Sequence, residues 1–392
     1  MEGEKRNKAQ YALSGKIVTG DQVIAGYLTV KNGKIKEIGH SKPTGGIIDV
    51  GDCLIVPGFI DMHIHGLLYS LIDNGPGDLI DICHNLPRYG VTGFLPTLTP
   101  RRAGEDAAFL HALATTRAEG AKILGFHLEG PFLKLAGALT KDATSDIDAS
   151  RVLSLIEAAK PYKAIFSISP DVEGIETLIP LMAWNGTPVF MTHTAATVEQ
   201  TQRAIRLGAK HATHFYNVFP CPGETDSGVR PCGAVEAILA DERVSVDFIF
   251  DGVHVDPVAV QLALACKSKG PGRVCFITDS NIGTGLGAGQ FTFADSGVIE
   301  FACKGAPARS VRDGGLAGSG LTMDQALRNA VKWLNLDVRE AIKLVSTNPA
   351  KVLGIDDHKG LLLPGYDADL VILDKDLNVV QTWIGGECFF EL

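Results

Sequence analysis

The sequence predicts an α/β protein: a TIM-type (β/α)8 barrel with a small composite β domain built from both chain ends. The main observation is a regular alternation between Gly58 and about Gly354, where apolar segments typical of strands alternate with amphipathic segments typical of helices. This alternation indicates βαβ units and a parallel sheet. Eight strand–helix repeats over roughly 300 residues fit a barrel of this kind.

The predicted barrel strands are short, apolar and rich in β-branched or aromatic residues. They are GFIDMHIH (58–65), VTGFLPTLT (91–99), KILGFHLE (122–129), KAIFSIS (163–169), PVFMTH (188–193), HATHF (211–215), VSVDFIFDGV (244–253) and RVCFITD (273–279). Helices are predicted between most of them, for example at 104–118, 172–184, 196–207 and 257–267. A doubly wound open sheet is the alternative, but no G-x-G-x-x-G motif follows the first strand.

Both chain ends are predicted to form β structure. Residues 11–57 contain short segments that alternate apolar and polar residues, separated by Gly and Asn-Gly. The segments DADLVILD, LNVVQTWIGGE and ECFFEL return to this pattern near the other end. Because the two ends flank the barrel, we expect one β-sandwich-like domain of residues 1–57 and 360–392, with residues 58–359 forming the barrel.

Composition and charge exclude several functional classes. The formal net charge is −9, so nothing in the composition suggests the basic surface that nucleic-acid binding usually needs, and we expect no nucleic-acid partner. It has no run of about 18 apolar residues, which argues against a membrane span. The charged N-terminal segment does not resemble a secretory signal, and the 8 cysteines form no C-x-x-C pair. We therefore expect reduced thiols and a cytoplasmic location.

Metal-ligating residue types recur where the predicted strands end. His63 and His65 are two residues apart, so both imidazoles face the same side of one strand. An isolated H-x-H pair is also explained by chance or by a structural role. The ends of four further strands, however, carry Glu129, His193, His214 and Asp279. In a TIM barrel the carboxyl ends of the strands surround one pocket, so these side chains are expected to converge.

The predicted ligands indicate the chemistry of the site. Imidazole and carboxylate without thiolate suit Zn, Fe, Co or Mn, and the sequence does not choose among these cations. We therefore predict one or two divalent transition metals per subunit. Water on such a cation has a pKa lowered towards neutrality. Asp279 is predicted to be the general base that takes its proton and later protonates a leaving amine; a plain ligand role is the alternative.

Longer motifs extend the prediction to a family. The segments PGFIDMHIHG (57–66), HLEGPF (127–132), THFYN (213–217), DGVHVD (251–256) and LAGSGLTM (316–323) resemble the amidohydrolase superfamily, and within it the N-acetylglucosamine-6-phosphate deacetylase family. The resemblance implies a hydrolase that removes the N-acetyl group from an N-acetyl amino sugar 6-phosphate. It also implies that Glu129, His193 and His214 bind the main metal. His63 and His65 would then allow a second metal, with Asp279 as the acid–base residue.

The resemblance also implies a set of substrate contacts. The backbone at Asn217 and Val218 and the side chain of His254 would contact the sugar phosphate, with His254 reaching a neighbouring subunit's site in a homodimer. Arg230 lies where the family carries a phosphate-binding arginine; a solvated loop charge is the alternative. Leu139 stands near the usual place of a substrate-binding histidine, and the loop around Arg230 is longer than usual. We therefore expect N-acetylglucosamine 6-phosphate or a close isomer as substrate.

Two other functions remain open at this stage. One is a different amidohydrolase reaction, such as hydrolysis of a cyclic amide or aminohydrolysis of a heterocycle. The other is a catalytically weak metal-binding relative that serves as a sensor or scaffold. The combination of HLEGPF with DGVHVD favours the deacetylase over both.

Overall fold

The structure is a computed structural model that describes residues 10–20, 22–267 and 273–392. The charged first nine residues, in which no secretory signal is predicted, lie outside the described part. Within that part the strands are β1 (Tyr11–Thr19), β2 (Gln22–Lys31), β3 (Lys34–Gly39), β4 (Gly46–Pro57), β5 (Phe59–Ile64), β6 (Gly66–Leu67), β7 (Ser70–Leu71), β8 (Val91–Leu98), β9 (Lys122–Ile123), β10 (Phe126–Glu129), β11 (Ala164–Ile168), β12 (Val189–Met191), β13 (Ala209–Ala212), β14 (Ser245–Ile249), β15 (Val274–Ile277), β16 (Gly289–Phe293), β17 (Gly297–Phe301), β18 (Arg309–Ser310), β19 (Leu370–Leu373), β20 (Val379–Ile384) and β21 (Glu387–Glu391).

The α-helices of the described part lie mostly between the barrel strands. They are α1 (Pro76–Asn85), α2 (Asp106–Ala114), α3 (Ala149–Ala158), α4 (Ile179–Met182), α5 (Val198–Leu207), α6 (Ala234–Ala240), α7 (Pro257–Cys266), α8 (Met323–Leu334), α9 (Val338–Ile342) and α10 (Asn348–Leu353). Among the described residues, no helix is both long enough and apolar enough to cross a membrane.

Eight parallel strands form the central barrel. Their order is β15-β14-β13-β12-β11-β10-β8-β5, and the short β9 pairs with β8. A parallel bridge between Ile64 and Ser280, with the hydrogen bond from Asp279 N to His63 O (2.9 Å), brings the last strand against the first. The predicted TIM-type barrel and its eight strands are therefore confirmed. Strands such as β5 and β8 are buried along their whole length, as expected for parallel strands covered by helices.

Some helices are shorter than predicted. The segment predicted as one helix at 172–184 contains a 3-10 turn at Ile175–Thr177 and only the short α4. Gly174 has a left-handed backbone (φ 79°) directly before that turn, and a proline occupies the first turn of α4. Both features interrupt continuous α-helix, which explains the difference. By contrast, α5 begins with a capping box between Thr197 and Gln200, which marks its start.

The two chain ends form one seven-stranded sheet. Its order is β21-β20-β19-β4-β1-β2-β3, so strands from both ends are hydrogen-bonded neighbours. β19 is antiparallel to β4, with Leu370 opposite Pro57 and Leu373 opposite Leu54. The buried side chains of this sheet make a separate apolar cluster that includes Leu13 and Ile55. The composite β domain is confirmed, while its sandwich-like form and its limits at 1–57 and 360–392 remain predictions.

A further sheet, which the sequence does not predict, follows the last barrel strand. β16, β17 and β18 form a three-stranded antiparallel sheet. Its buried face carries Phe293, Ile299 and Phe301, which pack with Leu71 and Ala317. The Phe293 ring lies 5.4 Å from the His65 ring, between centroids. This inserted sheet therefore lies beside the predicted metal ligands.

Candidate active site

Glu129 lies at the centre of the predicted metal ligands. This residue ends β10 and is 4% exposed. Its Oε2 atom lies 3.5 Å from His63 Nε2 and 3.1 Å from His65 Nε2. Its Oε1 atom lies 3.3 Å from His193 Nε2 and 3.0 Å from His214 Nε2. One carboxylate thus joins two pairs of imidazoles.

Asp279 completes the cluster from the end of the last strand. Its Oδ1 atom lies 3.3 Å from His63 Nε2 and 3.4 Å from His65 Nε2. The two Nε2 atoms are themselves 3.3 Å apart. The structure therefore brings together all six side chains expected at the strand ends, although His63 and Asp279 are 216 residues apart along the chain.

Three of these residues have an unusual backbone. His193, His214 and Asp279 each lie two residues beyond the observed end of a barrel strand, which stops earlier than predicted. Their φ angles are 50°, 33° and 46°, in the left-handed region. Such a conformation costs a residue other than glycine on the order of 1–3 kcal/mol and persists only where the surroundings hold it. This left-handed backbone conformation directs the three side chains into the cluster.

Hydrogen bonds at the far side of three rings determine which imidazole nitrogen faces the cluster. His193 Nδ1 donates to Leu135 O (2.7 Å), and His214 Nδ1 donates to Asn217 O (3.2 Å), because a carbonyl oxygen can only accept. His63 Nδ1 lies 3.1 Å from the Thr213 hydroxyl. In a neutral imidazole with a protonated Nδ1, Nε2 carries the lone pair. The three Nε2 atoms therefore face the Glu129 carboxylate, and each offers a lone pair to a cation when its ring is neutral.

The pKa shifts follow from this crowding. Burial opposes charge on His65, but hydrogen bonds to Asp279 and Glu129 raise its pKa to about 10. Burial likewise opposes charge on His214, while Glu129 raises its pKa to about 9. Although burial disfavours the ionised form, the charge of His63 and the bonds from His193 and His214 hold the pKa of Glu129 well below its usual range. The cluster thus strongly attracts positive charge, whether protons or a cation.

The donor set fits a divalent metal ion. Two groups of donor atoms lie within 4.8 Å of one another: His63, His65 and Asp279, and His63, Glu129 and His214. Ligand atoms at about 2.0–2.2 Å from a tetrahedral cation are separated by about 3.4 Å, close to the distances found here. In metal-binding histidines one ring nitrogen usually faces the cation while the other donates a hydrogen bond to a neighbouring group, as Nδ1 of His193 and His214 does here.

Asp247 supports this cluster from the barrel interior. Its Oδ1 atom accepts hydrogen bonds from His214 N (2.6 Å) and from the Thr213 hydroxyl (3.2 Å). Because that hydroxyl donates to Asp247, its oxygen accepts from His63 Nδ1. The Oδ2 atom lies 2.7 Å from His211 Nε2. His211, to which sequence analysis assigns no role, is thus fully buried beneath the site, and nothing in its local sequence distinguishes it.

We expect the substitution Asp247→Asn to lower metal affinity by roughly 10- to 100-fold, the usual effect of losing a group that orients a ligand. An amide retains the size of the carboxylate but cannot accept at both oxygens, so Thr213 or His211 loses its partner. Chelator competition measures the affinity, and Asp146→Asn, at an exposed position, is the matched control. Unchanged affinity in a folded Asp247→Asn variant would show that Asp247 does not orient the ligands.

His127 and Asp61 are buried polar groups outside the donor set. His127 lies 3.1 Å from the Thr97 hydroxyl through Nδ1 and 2.6 Å from the Ser167 hydroxyl through Nε2, so both nitrogens are satisfied. Burial holds its pKa well below the usual value, which keeps it neutral. Burial raises the pKa of Asp61 to about 7, although Thr278 donates to it. Both residues are therefore structural supports of the strands that carry the ligands.

A cavity of about 440 Å³ opens above the cluster. Its floor includes His65, Glu129, His193, His214 and Asp279. Its apolar wall includes Leu139, Phe293, Ile299, Leu316 and Ala317, mostly from the inserted sheet and the segment after it. Such a combination of a polar floor and an apolar wall is typical of a small-molecule site. Leu139, the predicted departure from the family pattern, therefore lies in the cavity itself.

The predicted substrate-binding residues fall into two groups. Asn217 and Val218 line the cavity. Arg230 and His254 do not appear in its lining: the Arg230 side chain is 70% exposed and pairs with Glu236 (2.7 Å), and His254 Nδ1 lies 2.7 Å from Asp251 Oδ2. The structure of one chain thus brings the first two to the metal ligands but leaves the other two outside the cavity.

Comparison with known proteins gives the family. The model of the amidohydrolase family matches residues 187–388. The chain is 33% identical over 340 residues to an N-acetylgalactosamine-6-phosphate deacetylase of Escherichia coli O157:H7, covering 85% of this chain and 87% of the relative. It is 32% identical over 388 residues to an N-acetylglucosamine-6-phosphate deacetylase of Bacillus subtilis, covering 95% of each. The chain belongs to the amidohydrolase family, in its N-acetylglucosamine-6-phosphate deacetylase branch.

A solved structure of this branch has the same fold. It is a mutant of the N-acetyl-D-glucosamine-6-phosphate deacetylase of Mycobacterium smegmatis in complex with N-acetyl-D-glucosamine-6-phosphate. The TM-score is 0.86 at 27% sequence identity, over 97% of this chain and 99% of that one. The family resemblance predicted from the motifs is thereby confirmed, and so is the barrel with its composite β domain.

Proposed function

We propose that the protein is a metal-dependent deacetylase that hydrolyses the N-acetyl amide of an N-acetyl amino sugar 6-phosphate, releasing acetate and the amino sugar phosphate. The convergence of two carboxylates and three imidazoles at the floor of the cavity, with the buried His63 imidazole directly against both carboxylates, carries the proposal. Membership of the deacetylase branch supports the same reaction. N-acetylglucosamine 6-phosphate or its galacto isomer is the proposed substrate, since relatives with both names are similar to this chain.

The metal is proposed to be Zn, Fe, Co or Mn, with one or two cations per subunit. Glu129, His193 and His214 would hold the main cation, and His63 and His65 a second one. When bound, such a cation polarises the amide carbonyl and lowers the pKa of water. The orientation of the rings by Leu135, Asn217 and Thr213 presents the nitrogen lone pairs without further rearrangement.

Asp279 is proposed to move the proton. Burial opposes ionisation of its carboxyl, but the charges of His63 and His65 lower its pKa. An ionised carboxylate at the cavity floor can take a proton from attacking water and deliver it to the nitrogen that leaves as an amine. The hydrogen bond of its N–H to His63 O fixes its backbone, and its Oδ1 lies against His63 and His65 Nε2.

The proposed substrate contacts follow the sequence prediction. The backbone at Asn217 and Val218, which line the cavity, would contact the sugar phosphate. His254 and Arg230 lie outside the cavity of their own chain, which is compatible with a contribution to the site of a second subunit in a homodimer. We further propose a cytoplasmic location, because a sugar phosphate is an intracellular type of metabolite.

Acetate release from N-acetylglucosamine 6-phosphate and from its galacto and manno isomers tests the proposal. We expect metal-replete protein to turn over at least one of the three, and chelation to abolish the turnover. The matched control is the same assay with N-acetylglucosamine without phosphate, which should be a poorer substrate. If metal-replete protein hydrolysed none of the three phosphates, the proposed function would be wrong.

A further inference from the structure

The rim of the cavity carries an arginine that the proposed mechanism does not use. Arg312 follows β18 in the inserted sheet and is the single Lys or Arg among the described residues that line the cavity. The same lining contains the carboxylates Glu129, Asp279 and Asp313. A sugar phosphate brings further negative charge into this space. Its anionic end therefore needs a positive partner besides any metal at the floor, and within one chain Arg312 is the arginine that the cavity offers.

The position of Arg312 is held by its backbone neighbours. Val311 N donates to Val298 O (2.9 Å), and Gly314 N donates to Ser310 O (2.8 Å). The Arg309 guanidinium donates to Gly314 O (2.9 Å) and closes the same turn from the other side. Since β17 also buries its Ile299 side chain in the apolar cluster, the turn is attached to a packed sheet. The guanidinium thus starts from a supported turn, not from a free loop.

The Arg312 guanidinium is available to a ligand. Its side chain is 79% exposed, and its nitrogens lie 3.0 Å and 3.2 Å from Asp313 Oδ2. A pair between adjacent exposed residues is weak, so a phosphate dianion can replace this carboxylate in a two-point contact with the fork of N–H groups. Ser296 also lines the cavity, and its buried hydroxyl has no hydrogen-bond partner among the described residues.

We propose that Arg312 binds the phosphate of the substrate from the same chain that supplies the metal ligands and Asp279. The inference rests on the proposed function, from which it takes the class of substrate. The amide would lie at the floor, the sugar ring along the apolar wall with Leu139 and Phe293, and the phosphate at the rim. Arg312 is then a specificity-determining residue, and phosphate recognition does not depend on Arg230 alone.

Kinetics of the Arg312→Ala and Arg312→Lys variants test this proposal. For Arg312→Ala we expect kcat/KM for N-acetylglucosamine 6-phosphate to fall by roughly 10- to 100-fold, mainly through KM, as expected for lost charge-assisted hydrogen bonds. The preference over unphosphorylated N-acetylglucosamine should fall with it. Arg312→Lys should be intermediate, because an ammonium keeps the charge but loses the fork. Lys304→Ala, in the same insertion but outside the cavity lining, is the control.

Direct binding separates this inference from the proposed function. Calorimetry with the product glucosamine 6-phosphate needs no turnover, and glucosamine without phosphate is its reference. If the wild-type protein hydrolyses no acetamido sugar, the proposed function fails, yet weaker binding of glucosamine 6-phosphate by Arg312→Ala still supports the phosphate contact. The phosphate contact of Arg312 would be overturned if Arg312→Ala left both KM and the affinity for glucosamine 6-phosphate unchanged while Arg230→Ala weakened them.

Discussion

Replacing Asp279 by asparagine is expected to lower kcat by roughly 10²–10⁴-fold, the range that a lost general acid–base contributes. Asparagine matches the size of the aspartate and still offers an oxygen at the position of Oδ1, 3.3 Å from His63 Nε2. It cannot accept the proton of attacking water or return it to the amine. Steady-state acetate release measures kcat, and metal analysis of the same sample measures the cation content.

The turnover number and the cation content together distinguish the two roles considered for Asp279, proton transfer and metal binding. Loss of turnover with the cation retained indicates proton transfer, whereas loss of both indicates that Asp279 is mainly a ligand. Turnover close to wild type with the cation retained would contradict the acid–base role of Asp279. Asp295→Asn, at an exposed position of the inserted sheet, makes the same chemical change away from the floor and should leave kcat unaltered.

The substitution Glu129→Gln is expected to have the second large effect. The Glu129 carboxylate contacts two pairs of imidazoles through its two oxygens, so one neutral amide disturbs the whole cluster. Removing its charge takes away the main group that attracts a cation. Since metal stabilisation of the transition state contributes several kcal/mol, we expect activity to fall by roughly a factor of 10³ or more, together with loss of bound metal.

Metal content and fold have to be measured together for this variant. Circular dichroism and thermal unfolding check the fold, because a buried amide beside four imidazoles could also weaken the barrel. Glu157→Gln, whose side chain is 72% exposed, is the matched control. A folded Glu129→Gln protein that kept wild-type metal content and turnover would show that the cation is held elsewhere.

Much of the fold could be predicted from the sequence because strand and helix patterns are local. All eight barrel strands were predicted, since each is an apolar run with its own turn signals. The extra sheet was not predicted, although GQFTF and GVIEF show some alternation of apolar and polar residues. These two short segments follow a barrel strand with no α-helix between them, which the barrel pattern does not predict. Only the packing of Phe293 and Ile299 against Leu71 and Ala317 shows that they form a sheet beside the barrel.

Some residues of the candidate site could also be predicted from the sequence, and others could not. Donors at strand ends were predictable because a barrel brings these ends together. His211 and Asp247 were not predicted, since a buried polar residue in a strand looks ordinary until its partner is known. Arg312 was missed for a related reason, since in the sequence it is an arginine of a Gly-rich segment without a motif. It shares a cavity with the predicted ligands only because the inserted sheet folds back beside them.

The sequence by itself determined the barrel, the side of it that carries the chemistry, and the residue types that make a metal site there. These properties depend on periodicity and on residue identity at each strand end, which are readable one segment at a time. The tertiary structure alone decided that Glu129 joins two pairs of histidines, that the three nitrogen lone pairs face inward, and that Arg312 lies at the cavity rim. Those arrangements depend on distances between segments far apart in the chain, and on backbone conformations that only the surrounding packing can hold.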